Sequence, residues 1–161
     1  MMNRWDNLEE LQRDHDVARQ LLLKQGVVLS DDPAALAALR EIFTSVFLCF
    51  HREIMERGTL ALVYTYDQDR QPPRIAGCDG YSSVSEKQRD GRRVSSVGVS
   101  VQALRYDRNY SVMLLLHELA HTLSVFPTEH GPEFHAYLDG LIARFNAATG
   151  AAIQNDYFGL S

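Results

Sequence analysis

The chain has 161 residues, 45% of them hydrophobic and 23% charged, an ordinary balance for one globular domain long enough to bury its own core. Its net charge of −5 argues against a protein that coats itself in nucleic acid. Two cysteines, Cys49 and Cys78, lack C-x-x-C spacing, which argues against a disulfide scaffold and for a reducing cytoplasm. The opening "MMNRWDNLEELQRDHD" has no apolar run after a basic start, so no signal peptide is expected. No apolar run approaches the roughly 18 residues of a membrane span, Val112 to Leu116 being the longest.

Read in chain order, the pattern predicts a helix from Leu8 to Gln25, with Leu8, Leu11, His15, Ala18 and Leu22 on helical spacing and Gly26 as its stop. A second helix begins at "DDP", where Asp31 or Asp32 caps it and Pro33 suits the first turn, and it ends at Gly58. Its apolar face runs through Leu36, Leu39, Phe43, Val46, Phe47 and Phe50. From Thr59 the period changes to that of strands: "TLALVYTY", "RIAGCDGYSSV" and "RRVSSVGVSV", with "SEKQRDG" as a turn or loop between the last two. Val94, Val97, Val99 and Val101 roughly alternate with Ser and Gly, as in a strand with one wet face. After "YDRN" the helical period returns, capped by Asn109 or Ser111 and running to about Val125. "FPTEHGP" breaks it, and Pro132 opens a last helix reaching Gly150. The expected fold is a single α+β domain over residues 1–161, two helices, three strands and two helices.

The stretch "LLLHELAHTLSVFPTEHGPEF", residues 114–134, sets titratable groups into the most apolar part of the chain. His117 and His121 are four apart, so on a helix their side chains leave one face a turn apart and can reach one metal ion. Glu118 is rotated by about 100° and cannot easily join the same shell, but it can lean over a water at the metal. This is the H-E-x-x-H arrangement, and a chain of this composition would contain roughly 0.01 matches by chance. A catalytic zinc takes three protein ligands and leaves one position open. His130 is a candidate third ligand, and the neighbouring carboxylates Glu129 and Glu133 compete for the place.

"HELAH" followed by "HGPEF", with "LIARFNAATGAAI" after them, resembles the SprT-like zinc metalloprotease family. The likeness spans roughly residues 74–158, with "AGCDGY" and "VGVSVQAL" as its weaker upstream part, and only the C-terminal half is diagnostic. It implies a minimal zincin-like domain: N-terminal helices, a small three-stranded sheet, an active-site helix carrying H-E-x-x-H and a following C-terminal helix. It also implies Zn²⁺ held by His117, His121 and His130, with Glu118 as general base in peptide hydrolysis. Glu133 is implied as a support for a ligand imidazole or as a favourable charge at a helix start, and Tyr157 as an oxyanion donor or a packing residue. The chain departs from the family in a shorter loop between His121 and His130 and in the absence of a cysteine-rich ribbon after the last helix.

The expected partner is a protein or peptide substrate lying extended beside the strand at residues 94–101, with no membrane involved. Residues 70–108 hold 8 basic and 4 acidic side chains, against 7 and 12 in residues 1–69 and 1 and 5 in residues 109–161. That basic middle is either a solvated face or, through Lys87, Arg89, Arg92, Arg93, Arg105 and Arg108, a weak DNA-binding surface whose grip fades with salt. Two rival readings come from other classes: a non-catalytic zinc-containing domain that binds DNA or protein, and a metalloenzyme hydrolysing something other than a peptide. Glu118 counts against the first, since a structural site has no use for that acid.

Overall fold

A computed structural model describes residues 7–57, 59–89, 91–124 and 130–155. Helix α1 (Leu8–Lys24) starts where the Asn7 side chain accepts a hydrogen bond from the Glu10 N–H, one of the donors a helix start leaves open. It buries Asp14, Ala18 and Leu22, while Leu8, read as part of the apolar face, is 80% exposed. Helix α2 (Pro33–Arg57) is capped by Asp32, whose Oδ1 accepts from the N–H groups of Ala34 and Ala35. Its buried stripe is Ala35, Leu39, Ile42, Val46, Phe50 and Ile54, so Leu36, Phe43 and Phe47 lie to its side and are half-buried. The expected stop at Gly58 lies outside the described residues.

By length and composition α2 is apolar enough to cross a membrane, the one such helix among the described residues. The unbroken run sought in the sequence is cut by Arg40 and Glu41, whereas an average over 18 residues tolerates both. Its stripe belongs to the main core, the ordinary place for such a helix in a folded domain.

Strands β1 (Leu60–Tyr66), β2 (Gly80–Val84) and β3 (Ser95–Ser100) form one mixed sheet in the order β1-β3-β2, β1 parallel and β2 antiparallel to β3. Two expectations are corrected here. The second strand begins only at Gly80, because Pro72 to Cys78 form turns in which the Pro72 carbonyl accepts from both Ile75 and Ala76. And β3 is the central strand, buried at all six positions, with neither a wet face nor a free edge. Its serines misled: Ser95, Ser96 and Ser100 are as buried as Val97 and Val99, which belong to the larger core. A substrate therefore cannot pair along residues 94–101.

The far edge of β1 is partly covered by a bridge from Leu29 to Tyr66, with the Ser30 N–H donating to Thr65. Among the described residues no strand pairs with the outer edge of β2. The Ser85 N–H donates to Val94 and the Ser100 N–H to Asp79, so residues 79, 81, 83 and 85 turn their main-chain groups to β3, and Gly80, Ser82 and Val84 turn theirs outward.

After β3 the chain makes a short helix, α3 (Val101–Tyr106), and then α4 (Arg108–Leu123). The cap of α4 is Asp107, whose carboxylate accepts from the Tyr110 N–H, in place of the expected Asn109 or Ser111. Helix α5 (Pro132–Thr149) runs as expected, with Pro132 in its first turn and Gly150 closing it at φ 75°. The result is an α+β fold with five α-helices among the described residues. On one face of the sheet α1 packs against Tyr64, Tyr66 and Ile75; on the other, α2, α4 and α5 enclose the main core.

Candidate metal centre

Every residue of α4 from Tyr110 to Ala120 is buried. A helix apolar all round belongs in the middle of a fold, and that position puts its polar residues under constraint. His117 is 2% exposed and Glu118 0% exposed, whereas His121, near the end, is half-buried. The i, i+4 spacing brings the Nε2 atoms of His117 and His121 to 3.3 Å. His130 arrives from the turn before α5 with φ 60°, a left-handed backbone that a β-carbon disfavours. Its Nε2 lies 3.3 Å from that of His117 and 3.1 Å from that of His121.

These three distances carry chemical information. A tetrahedral ion bonded at about 2.0–2.1 Å holds its nitrogens about 3.3–3.4 Å apart. A neutral imidazole has one N–H and one lone pair, so three Nε2 atoms in mutual contact cannot all be paired among themselves. A cation at their centre satisfies all three at once. The three histidines are thus close enough to bind one metal ion, and their donor set suits zinc along with other imidazole-binding transition metals. Burial, with smaller contributions from the neighbouring His121, His130 and His135, holds the His117 pKa down at about 3, which keeps it in the neutral form a ligand needs.

Of the alternatives for the third ligand, Glu133 is exposed and outside this cluster, and Glu129 lies outside the described residues, as does Tyr157. His135 is exposed and also outside the cluster.

Glu118 points elsewhere than its neighbours, against the start of β2. A Cβ placed on Gly80 would stand 3.0 Å from the Glu118 Cγ and 3.3 Å from its Cδ, so only glycine lets the acid lie this close to the sheet. Its charge reaches the buried rings behind: after burial, and after Tyr81 in one case and Tyr64 and Cys78 in the other, Glu118 helps to raise the Tyr64 and Tyr66 hydroxyl pKa values. One turn into α5, Phe134 is 2% exposed and touches all three histidines. Its ring stacks on His121 with centroids 4.4 Å apart at 18°, and meets His117 and His130 edge-on at 5.2 and 5.4 Å.

Sequence spacing gives no sign of either contact. Gly80 lies 38 residues from Glu118 along the chain, and the periodicity of α5 marks Phe134 only as core-facing, in line with Leu138, Leu141 and Phe145.

Three arginines in the basic middle of the chain are matched with acids. Arg92 pairs with Glu10 and lies 3.8 Å from Asp14, both on α1; Arg105 meets Asp32 at 2.5 Å and Arg108 meets Glu41 at 3.4 Å. Arg93 donates to the Ser85 carbonyl at 3.2 Å, and Lys87 and Arg89 are exposed. No family model matches the chain, and no curated protein or solved structure matches it either.

Proposed function

We propose that this protein is a zinc-dependent metalloendopeptidase of zincin type, akin to the SprT-like family that its "HELAH" and "HGPEF" stretches resemble. The observation that carries this reading is the combination of three Nε2 atoms 3.1–3.3 Å apart with a fully buried glutamate adjacent to one of them on the same helix. His117, His121 and His130 hold the metal. Zinc, when bound, supplies a Lewis acid for the scissile carbonyl and lowers the pKa of an attacking water. Glu118 takes the proton from that water and returns it to the leaving amine.

Substrate pairing moves from β3 to the outer edge of β2. The outward main-chain groups of Gly80, Ser82 and Val84 suit an added strand, and Gly80 sets that edge against Glu118. Cys49 and Cys78 are free thiols, in keeping with action in a reducing compartment such as the cytoplasm. Proteins bound to DNA remain a candidate substrate class, with Lys87 and Arg89 as exposed charges for weak phosphate contact.

The test compares the parent with Glu118→Gln on an unstructured, quenched-fluorescent polypeptide. The amide keeps the shape of the acid but cannot accept the proton, so cleavage should fall about 10²–10⁴-fold with zinc content unchanged. A parent that binds zinc but cleaves nothing points to a non-catalytic zinc domain.

A further inference from the structure

Three imidazoles must converge within a few tenths of an ångström, yet nothing in a histidine rotamer guarantees it. The torsion that turns the ring, an sp³–sp² bond, has a broad profile, so the direction of Nε2 is soft unless something grips the ring plane. For His117 burial supplies much of that grip. His121 and His130 are only half-buried, one at the end of α4 and the other on a left-handed turn.

We infer that Phe134 is a positioning residue for the metal: its ring face fixes the plane of His121, and its T-shaped contacts set the approach of His117 and His130. The inference rests on the reading of the three histidines as ligands. Its support is the near-parallel stack at 4.4 Å and 18°, together with two edge-on contacts from one buried ring. Edge-on and stacked geometries are those in which aromatic quadrupoles attract. An imidazole bonded to a cation is poorer in electrons, so the stack with Phe134 tightens in the loaded state, on the principle that draws cations to ring faces. Metal binding and the aromatic contact are therefore coupled, which separates this role from simple core filling. Phe134 also starts the buried stripe of α5 that continues through Leu138, Leu141 and Phe145, so the ring is anchored to the core and transmits that rigidity to the ligands.

The experiment is a zinc titration against a competing chelator on the full chain, with parent, Phe134→Leu and Phe134→Tyr. Leucine keeps an apolar side chain but has no flat face, and should weaken zinc affinity by about 10–100-fold, the range for a group that orients ligands. Tyrosine keeps the ring and should restore most of that loss. A folded Phe134→Leu protein that binds zinc as tightly as the parent overturns the inference while leaving the metal site intact. A parent that takes up no zinc overturns the metal reading itself, and the role of Phe134 with it. Should both variants fail to fold, proton NMR of the unaltered chain decides: ring-current shielding should move the His121 ring protons upfield, and resonances at ordinary imidazole positions would overturn the stack.

Discussion

The junction of α4 with α5 and the segment from Lys87 to Arg108 are two places where titratable side chains crowd together, and they resolve the crowding in opposite ways. At the junction, groups of one kind converge: three nitrogen donors 3.1–3.3 Å apart with a buried acid beside them. In the basic segment each of three arginines is met by a carboxylate from another element, Arg92 by Glu10 and Asp14, Arg105 by Asp32 and Arg108 by Glu41. Paired charges of this sort tie α1 and α2 to the rest of the fold and contribute little each. Three like donors gathered at a point cannot all satisfy one another, and a cation between them would satisfy all three. Convergence marks a candidate site, and pairing marks scaffold.

The contrast breaks most sharply at the ligands. His121→Ala removes one of three donors and should lower zinc affinity by more than about 100-fold, beyond the range for a supporting group. Elemental analysis of the purified protein, with circular dichroism to check the fold, reads it directly. Undiminished zinc would mean that the metal, if any, sits elsewhere.

Gly80→Ala tests the acid without touching the donors. The new methyl would meet Glu118 at 3.0 Å, so the carboxylate must shift by a few tenths of an ångström. Cleavage should fall about 10-fold, a fraction of what misplacing a catalytic group by a full ångström costs. Zinc affinity should stay that of the parent. Loss of zinc along with activity would place Gly80 among the supports of the histidines instead.

The smallest effect belongs to the basic segment. Fluorescence anisotropy at about 20 mM salt should detect weak DNA binding that disappears by about 150 mM. Lys87→Glu with Arg89→Glu should abolish it, whereas Arg92→Ala, which removes the ion pair with Glu10, should cost stability of about 0.5–1 kcal/mol in a denaturant melt. No binding at the lower salt would leave the segment a purely structural face.

The juxtaposition of His117 and His121 on α4 was legible because helical geometry is periodic: four residues of separation is about one turn, whatever the protein. The third histidine of the cluster was less so. His130 sits on a left-handed turn, and residue spacing alone left it level with Glu129 and Glu133; only the resemblance of "HGPEF" favoured it, and the fold then places Glu133 in solvent. The sheet was misread at its centre for a related reason. "VSSVGVSV" alternates roughly as an amphipathic strand does, but β3 lies between β1 and β2 and is buried on both faces. Composition cannot say which strand lies between two others. Long-range steric fits are the least legible of all, as Gly98 illustrates: a Cβ there would stand 2.5 Å from the Tyr64 ring, a fact invisible to any local pattern.

On the proposed reading, the outer edge of β2 bears on what kind of molecule can be a substrate at all. Gly80, Ser82 and Val84 turn main-chain groups outward, which every polypeptide can match but which a helix or a paired strand has already engaged within itself. An enzyme reading such an edge is indifferent to sequence and demanding about order. It would act on a folded protein in proportion to how often a segment comes loose, so that its rate follows the opening equilibrium of the target when reclosing is fast. Selectivity would then reside in the thermodynamics of the substrate, and anything that loosens a client would mark it for cleavage.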